Sequence, residues 1–193
     1  MIVNILKTLP WYFVGAAVFA VPSFLLIGAL LAPLDVESVL IGTGWVAEKF
    51  MDLDGILEDG QDPASATADF NYMFAWLNIN LLITTIILSL GWAIGSHFLN
   101  IDEPGKAKFF AIPWVILSGV LVAALMLVNY TILAWGDTFT AAHDITTTSM
   151  NTMVILTTVY YGLMYWFSCI LGSARQARSS VLFANQLPAR NFL

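Results

Sequence analysis

Charge is scarce in this chain. Only 10% of its 193 residues are Asp, Glu, Lys or Arg, 59% are hydrophobic, and the mean hydropathy is +0.82. Soluble domains carry about a quarter charged residues, so the composition is that of an integral membrane protein. Basic residues number seven and the net charge is −6, and no nucleic-acid partner is expected. A single cysteine, Cys169, excludes an intrachain disulfide. It lies in an apolar run and reads as a small buried hydrophobe.

Histidine is nearly as rare. His97 and His143 are far apart in sequence, which argues against a multi-histidine metal centre, and no metal is assigned. His143 is followed by Asp144, but adjacency in sequence does not orient a catalytic pair, and no nucleophile accompanies them. There is no phosphate-binding glycine loop. Gly91 and Gly95 instead form a small-xxx-small pattern in an apolar stretch, the pattern of a helix contact. The chain is therefore read as non-catalytic.

What the sequence does hold is four long apolar runs, at about residues 11–32, 70–99, 109–135 and 148–172. Each is long enough to cross a hydrocarbon core of roughly 30 Å. The expected fold is all-α and polytopic, with four transmembrane helices in one membrane domain. The first run is longer than the core of a cleavable signal and has no clear cleavage site, so it reads as a retained span. Pro10 falls near its first turn, Pro22 at its middle, where a kink is expected, and Pro33 just past its end. Within these spans there is no Asp, Glu, Lys or Arg, whereas ion-coupled carriers and intramembrane enzymes usually hold such groups.

Span two, 70–99, is the most informative. At about 100° per residue, Asn71, Asn78, Thr85, Ser89 and Ser96 fall within about 20° of one line. Thr84, Gly91 and Gly95 form a second face of small residues. A helix surrounded only by lipid needs neither, so both faces are expected to pack, the small one against span one or a foreign helix. On span four, Asn151, Thr158, Gly162, Tyr165 and Cys169 lie within about 40° of one line, and this is the expected partner of the stripe on span two. Span three has only a weak polar line, Ser118 and Asn129, and is expected to have the most lipid contact of spans two to four.

Between spans one and two lies an acidic segment, 34–69, with nine carboxylates and one lysine. Val36, Val39, Leu40, Val46, Phe50 and Leu53 recur at near-helical spacing, which predicts an extracytoplasmic amphipathic helix docked on protein. Asp52, Asp54, Glu58, Asp59 and Asp62 cluster around two glycines. They read first as a solvated acidic turn, with calcium as the alternative, since the spacing departs from an EF-hand loop. Pro104-Gly105 marks a tight turn that makes spans two and three antiparallel neighbours. The tail, 173–193, is basic and then apolar, and is expected to be pinned by the bundle or by another subunit.

Charge distribution sets an orientation. Lys7, Lys106, Lys108, Arg175, Arg178 and Arg190 fall on one side, and most of the carboxylates fall on the other. The positive-inside rule then puts both termini in the cytoplasm, most simply of a bacterial inner membrane. His97, at the cytoplasmic end of span two, reads as an interfacial polar group, with a haem or pigment ligand as the alternative. Lipid is the one small-molecule partner the composition implies.

Two functions fit these observations. The first is an accessory subunit of a multi-subunit membrane complex, contributing helix–helix contacts to other membrane proteins. The second is a homo-oligomeric channel or small-solute transporter lined by Asn78, Thr85, Ser89 and Asn151.

Overall fold

The computed structural model describes residues 2–31, 63–98, 114–125 and 147–174, with positions 112, 127, 177 and 181. Among these, all regular structure is helical. Helix α1 is Ile2–Leu30, α2 is Pro63–Gly95 with a 3-10 turn at Ser96–Phe98, α3 is Trp114–Leu125 and α4 is Thr147–Gly172. Three of the four, α1, α2 and α4, are long and apolar enough to cross a membrane. The expected amphipathic helix and the calcium candidates Asp52, Asp54, Glu58, Asp59 and Asp62 lie outside the described residues. So do the loop at 100–108, the outer part of span three and most of the tail.

The helices start earlier than hydropathy alone predicts. α1 begins at Ile2 rather than Trp11, so Pro10 sits about two turns inside it, where its missing N–H leaves a gap in the helical ladder. α2 begins at Pro63, ahead of Phe70, with proline at the first helical position, where the lost N–H has no partner to lose. These extensions bring Lys7, which is exposed, and Asp69, which is half-buried, into the helices. The helical segments are thus not free of charge as the shorter spans are, because the helices run on through residues 2–9 and 63–69, beyond the apolar runs.

Each helix buries a stripe whose spacing alternates between three and four residues. On α1 the buried positions include Tyr12, Ala16, Ser23, Ile27 and Leu30. On α3 they are Trp114, Leu121 and Leu125, while Val115, Ile116, Val120 and Val122 are exposed. This is the narrow seam of a helix that meets its neighbours along one line. The second half of α2 follows the same rule, through Leu81, Thr85, Ser89, Trp92 and Ser96, but its first half is buried more widely, through Phe70, Met73, Phe74, Ala75 and Leu77.

The chain divides into two compact units. One contains residues 22–81 and 125–159. It holds the widely buried half of α2, where Phe70 stacks on Phe74 at 5.9 Å, and the first half of α4. The other contains residues 1–21, 82–124 and 160–193, and its interhelical contacts define a topology. Tyr12 meets Ser89 and Thr8 meets His97, so α1 and α2 are antiparallel. Phe19 meets both Tyr160 and Phe167 edge-on, with ring centroids 5.6 and 6.1 Å apart. The Tyr160 hydroxyl also donates to the Phe19 carbonyl at 2.7 Å.

In this unit the beginning of α1 and the end of α4 lie together, as expected of helices that alternate in direction. The helices come closest at two glycines. A Cβ on Gly172 would stand 2.9 Å from Tyr12 Cβ and 3.0 Å from Ala93 Cβ. A Cβ on Gly15 would stand 3.1 Å from Leu171 Cδ1 and 3.3 Å from Ser168 Cα. Gly172 is therefore the point where α1, α2 and α4 meet.

Replacing Gly172 with leucine is expected to destabilise the protein by about 1–3 kcal/mol through overpacking. Gly162→Ala, with open space around it, should be neutral or stabilising by up to about 1 kcal/mol, through better helix propensity. Denaturant titration followed by circular dichroism compares the two.

Candidate functional site

The most distinctive local chemistry lies in the unit of residues 1–21, 82–124 and 160–193, and it is built from hydroxyl groups. A serine or threonine in a helix can return its proton to the carbonyl three or four residues back. Thr8 does so to Ile5 at 3.2 Å, Ser89 to Thr85 at 2.7 Å, Ser96 to Ala93 at 3.0 Å, and Ser173 to Cys169. Each oxygen then keeps lone pairs for a donor from elsewhere in the chain.

Those donors are present in every case. His97 Nε2 lies 2.8 Å from Thr8 Oγ1, and with the threonine proton on Ile5, the ring nitrogen is the donor. The Tyr12 hydroxyl lies 3.1 Å from both Ser89 Oγ and the Ile86 carbonyl, and its single proton is shared between them. Trp92 Nε1 donates to Ser173 Oγ at 2.7 Å, and the Ala174 amide donates to Ser96 Oγ at 2.9 Å. The last two fasten the chain just beyond α4 to the end of α2. The Ser173 amide also returns to Cys169 at 3.0 Å, capping α4.

The stripe foreseen on α2 is buried throughout: Asn71, Asn78, Thr85, Ser89 and Ser96 are each at most 4% exposed. Its partners differ from the expected ones. Ser89 turns to Tyr12 of α1, and Ser96 turns to the backbone after α4. Asn78 returns an amide hydrogen to Phe74 of its own helix at 2.8 Å. On α4, Asn151 is exposed, Thr158 and Gly162 are half-buried, and Tyr165 and Cys169 are buried. The five therefore do not share one buried face. The drift arises because α4 buries residues on a three-four alternation centred on Thr157, Tyr161, Met164 and Ser168.

The small-residue pattern behaves in the opposite way to the polar one. Gly91 and Gly95 are exposed, and a Cβ added at either, or at Gly162, would meet nothing within 4 Å. The glycines that bring helices together are Gly15 and Gly172. These, with Thr8, Tyr12, Trp92 and Ser173, escaped sequence reasoning. A usable signal existed in Thr8, Tyr12, Gly15 and Ser23, whose spacings of four, three and eight keep them on one side of α1, as the spacings of four and seven do on α2.

His97 keeps Nε2 on Thr8, so a haem or pigment would have to displace that contact or use the other ring nitrogen. Among the described residues, no group of three His, Cys, Asp or Glu side chains could hold a metal ion. Cys169 is buried and free. Trp114 is packed on Tyr165 with ring centroids 6.3 Å apart. The chain matches no known family, no curated protein and no solved structure, so any reading of function rests on the molecule itself.

Two serine variants should separate the roles of these hydroxyls. Ser96→Ala strands the buried Ala174 amide and is expected to cost about 1–3 kcal/mol. Ser89→Ala leaves Tyr12 its second acceptor, the Ile86 carbonyl, and should cost about 0.6 kcal/mol, the mean for hydrogen bonds between membrane helices. Chemical denaturation of both variants in the same detergent gives the comparison.

Proposed function

We propose that this protein is a non-catalytic integral membrane subunit of a larger complex, placed in a bacterial cytoplasmic membrane with both termini inside. The observation that carries the reading is the contrast between the two faces of α2. Ser89 and Ser96 of the polar face are engaged by other parts of the chain, while the small-residue face around Gly91 and Gly95 has open space beside it. Exposed glycines four residues apart let another helix approach closely. Ile87, Ile94 and Phe98 stand exposed on the same half of the helix and offer apolar contact to either lipid or a neighbour.

The channel alternative is less well supported. In a homo-oligomeric pore, the lining residues must face away from their own chain. Asn78, Thr85 and Ser89 are buried within it, and Ser89 is committed to Tyr12 and Thr85. Of the four candidate lining residues only Asn151 is exposed.

Mild-detergent extraction followed by native mass measurement tests the proposal. The wild type is expected to leave the membrane with other polypeptides attached. The double variant Gly91→Leu/Gly95→Leu should lose them while keeping its helix content, because a Cβ at either position meets nothing within 4 Å among the described residues. A wild type that is a stable lone monomer removes the reading.

A further inference from the structure

At the junction of α1, α2 and α4, the hydroxyls of Thr8, Ser89, Ser96 and Ser173 each meet a polar partner from elsewhere in the chain. Between α3 and α4 the pattern is incomplete. Ser118 returns its proton to the Trp114 carbonyl at 2.8 Å, as the other serines do, and so keeps lone pairs free. Beside it is the Tyr165 hydroxyl, and on the Tyr165 ring stacks Trp114, whose Nε1 is a second strong donor. Both side chains are more than nine-tenths buried, and neither polar atom has a hydrogen-bond partner.

The two rings stack at 27° to one another. Both side chains lie close enough to the Cys169 thiol to interact with it, and Tyr165 also lies beside Ser118, yet neither donor completes a hydrogen bond. Four polar groups from two helices therefore converge with their strongest donors unused. Native proteins rarely leave such groups unmatched in the interior. A polar contact too long to be direct is commonly closed by a bridging molecule.

We infer that the space between Trp114, Ser118, Tyr165 and Cys169 holds a single hydrogen-bond-accepting oxygen, which receives the indole N–H of Trp114 and the phenol O–H of Tyr165. A water molecule fits all four groups: it accepts from Trp114 and Tyr165 and donates to the free lone pair of Ser118 and to the Cys169 sulfur. Buried waters typically make about three such bonds. The carbonyl of a lipid ester or quinone would satisfy the same two donors and leave Ser118 and Cys169 as lining. Ser168, also buried and unpartnered, is not part of this group, since it lies against Gly15 of α1.

The test compares thermal unfolding of the full chain in detergent with that of Tyr165→Phe and Trp114→Phe, after circular dichroism has shown unchanged helix content. If the oxygen is present, each variant removes one of its bonds and lowers the melting midpoint by several degrees. The double variant should lower it by less than the sum, because losing both donors releases the molecule. If the space is empty, Tyr165→Phe deletes a stranded hydroxyl and the midpoint is unchanged or raised, which overturns the inference. Trp114→Phe also leaves a cavity and lowers the midpoint in either case, so Tyr165→Phe carries the decision. Native mass measurement separates the sources. An adduct of lipid or quinone mass in the wild type that is absent from Tyr165→Phe identifies a carbonyl, and a bare wild-type mass with lowered midpoints identifies water. Because the midpoints are read on the isolated chain, they do not depend on whether the protein joins a complex.

Discussion

The shared hydroxyl is the interaction on which the described packing turns. A serine or threonine in a helix that lacks access to water faces two requirements, one for its proton and one for its lone pairs. Giving the proton to the carbonyl of the preceding turn meets the first locally. It also fixes the oxygen in place with its acceptor side outward. Ser89, Ser96, Ser173 and Thr8 all take this arrangement, and each then receives a donor from a distant part of the chain. The donors differ in chemistry: a phenol, a backbone amide, an indole and an imidazole. The acceptor side is what stays constant, so the register of the helices is written in the hydroxyls.

Contacts of this kind need helices that approach closely, and the glycines supply that. Gly172 lies with Tyr12 and Ala93 at distances where a methyl group would clash, and Tyr12 is the residue whose hydroxyl reaches Ser89. Removing the side chain at one residue thus permits the hydrogen bond made by another. The bonds themselves are weak, averaging about 0.6 kcal/mol between membrane helices. The bulk of the stability must come from the buried apolar side chains around them, among them Tyr161, Met164, Leu121 and Ile170. Hydrogen bonds select one arrangement from the several that apolar packing alone would tolerate.

Much of this was legible in the sequence, and the failures have a common cause. Asn71, Asn78, Thr85, Ser89 and Ser96 could be grouped because a polar residue in an apolar helix is conspicuous and the helical period is fixed. The identity of their partners could not be read, because a donor such as Tyr12 or Trp92 is amphipathic and resembles an interfacial aromatic in sequence. The Ala174 amide has no signature at all, since every residue but proline carries one. Glycine was only partly legible for a related reason. Gly91 and Gly95 match a familiar spacing, but a spacing says only that another helix could approach. Gly15 and Gly172 have no such pairing, and their importance arises from what faces them. Helix starts were misplaced because hydropathy marks apolar content, whereas Pro63 marks a helical beginning by backbone geometry.

The two faces of α2 differ in what the chain has already done with them. A buried polar group left unmatched is costly, so the hydroxyl face had to be completed within one chain or by a partner always present, and in the described residues it is completed by α1 and the end of α4. An exposed glycine carries no such requirement, because it leaves no polar side chain unsatisfied and adds little apolar area. It can therefore stay open in a free subunit at almost no energetic cost and still allow a close helix contact when one forms. That asymmetry is the physical basis for proposing assembly at the Gly91–Gly95 face, with internal register held by the Ser89–Ser96 face.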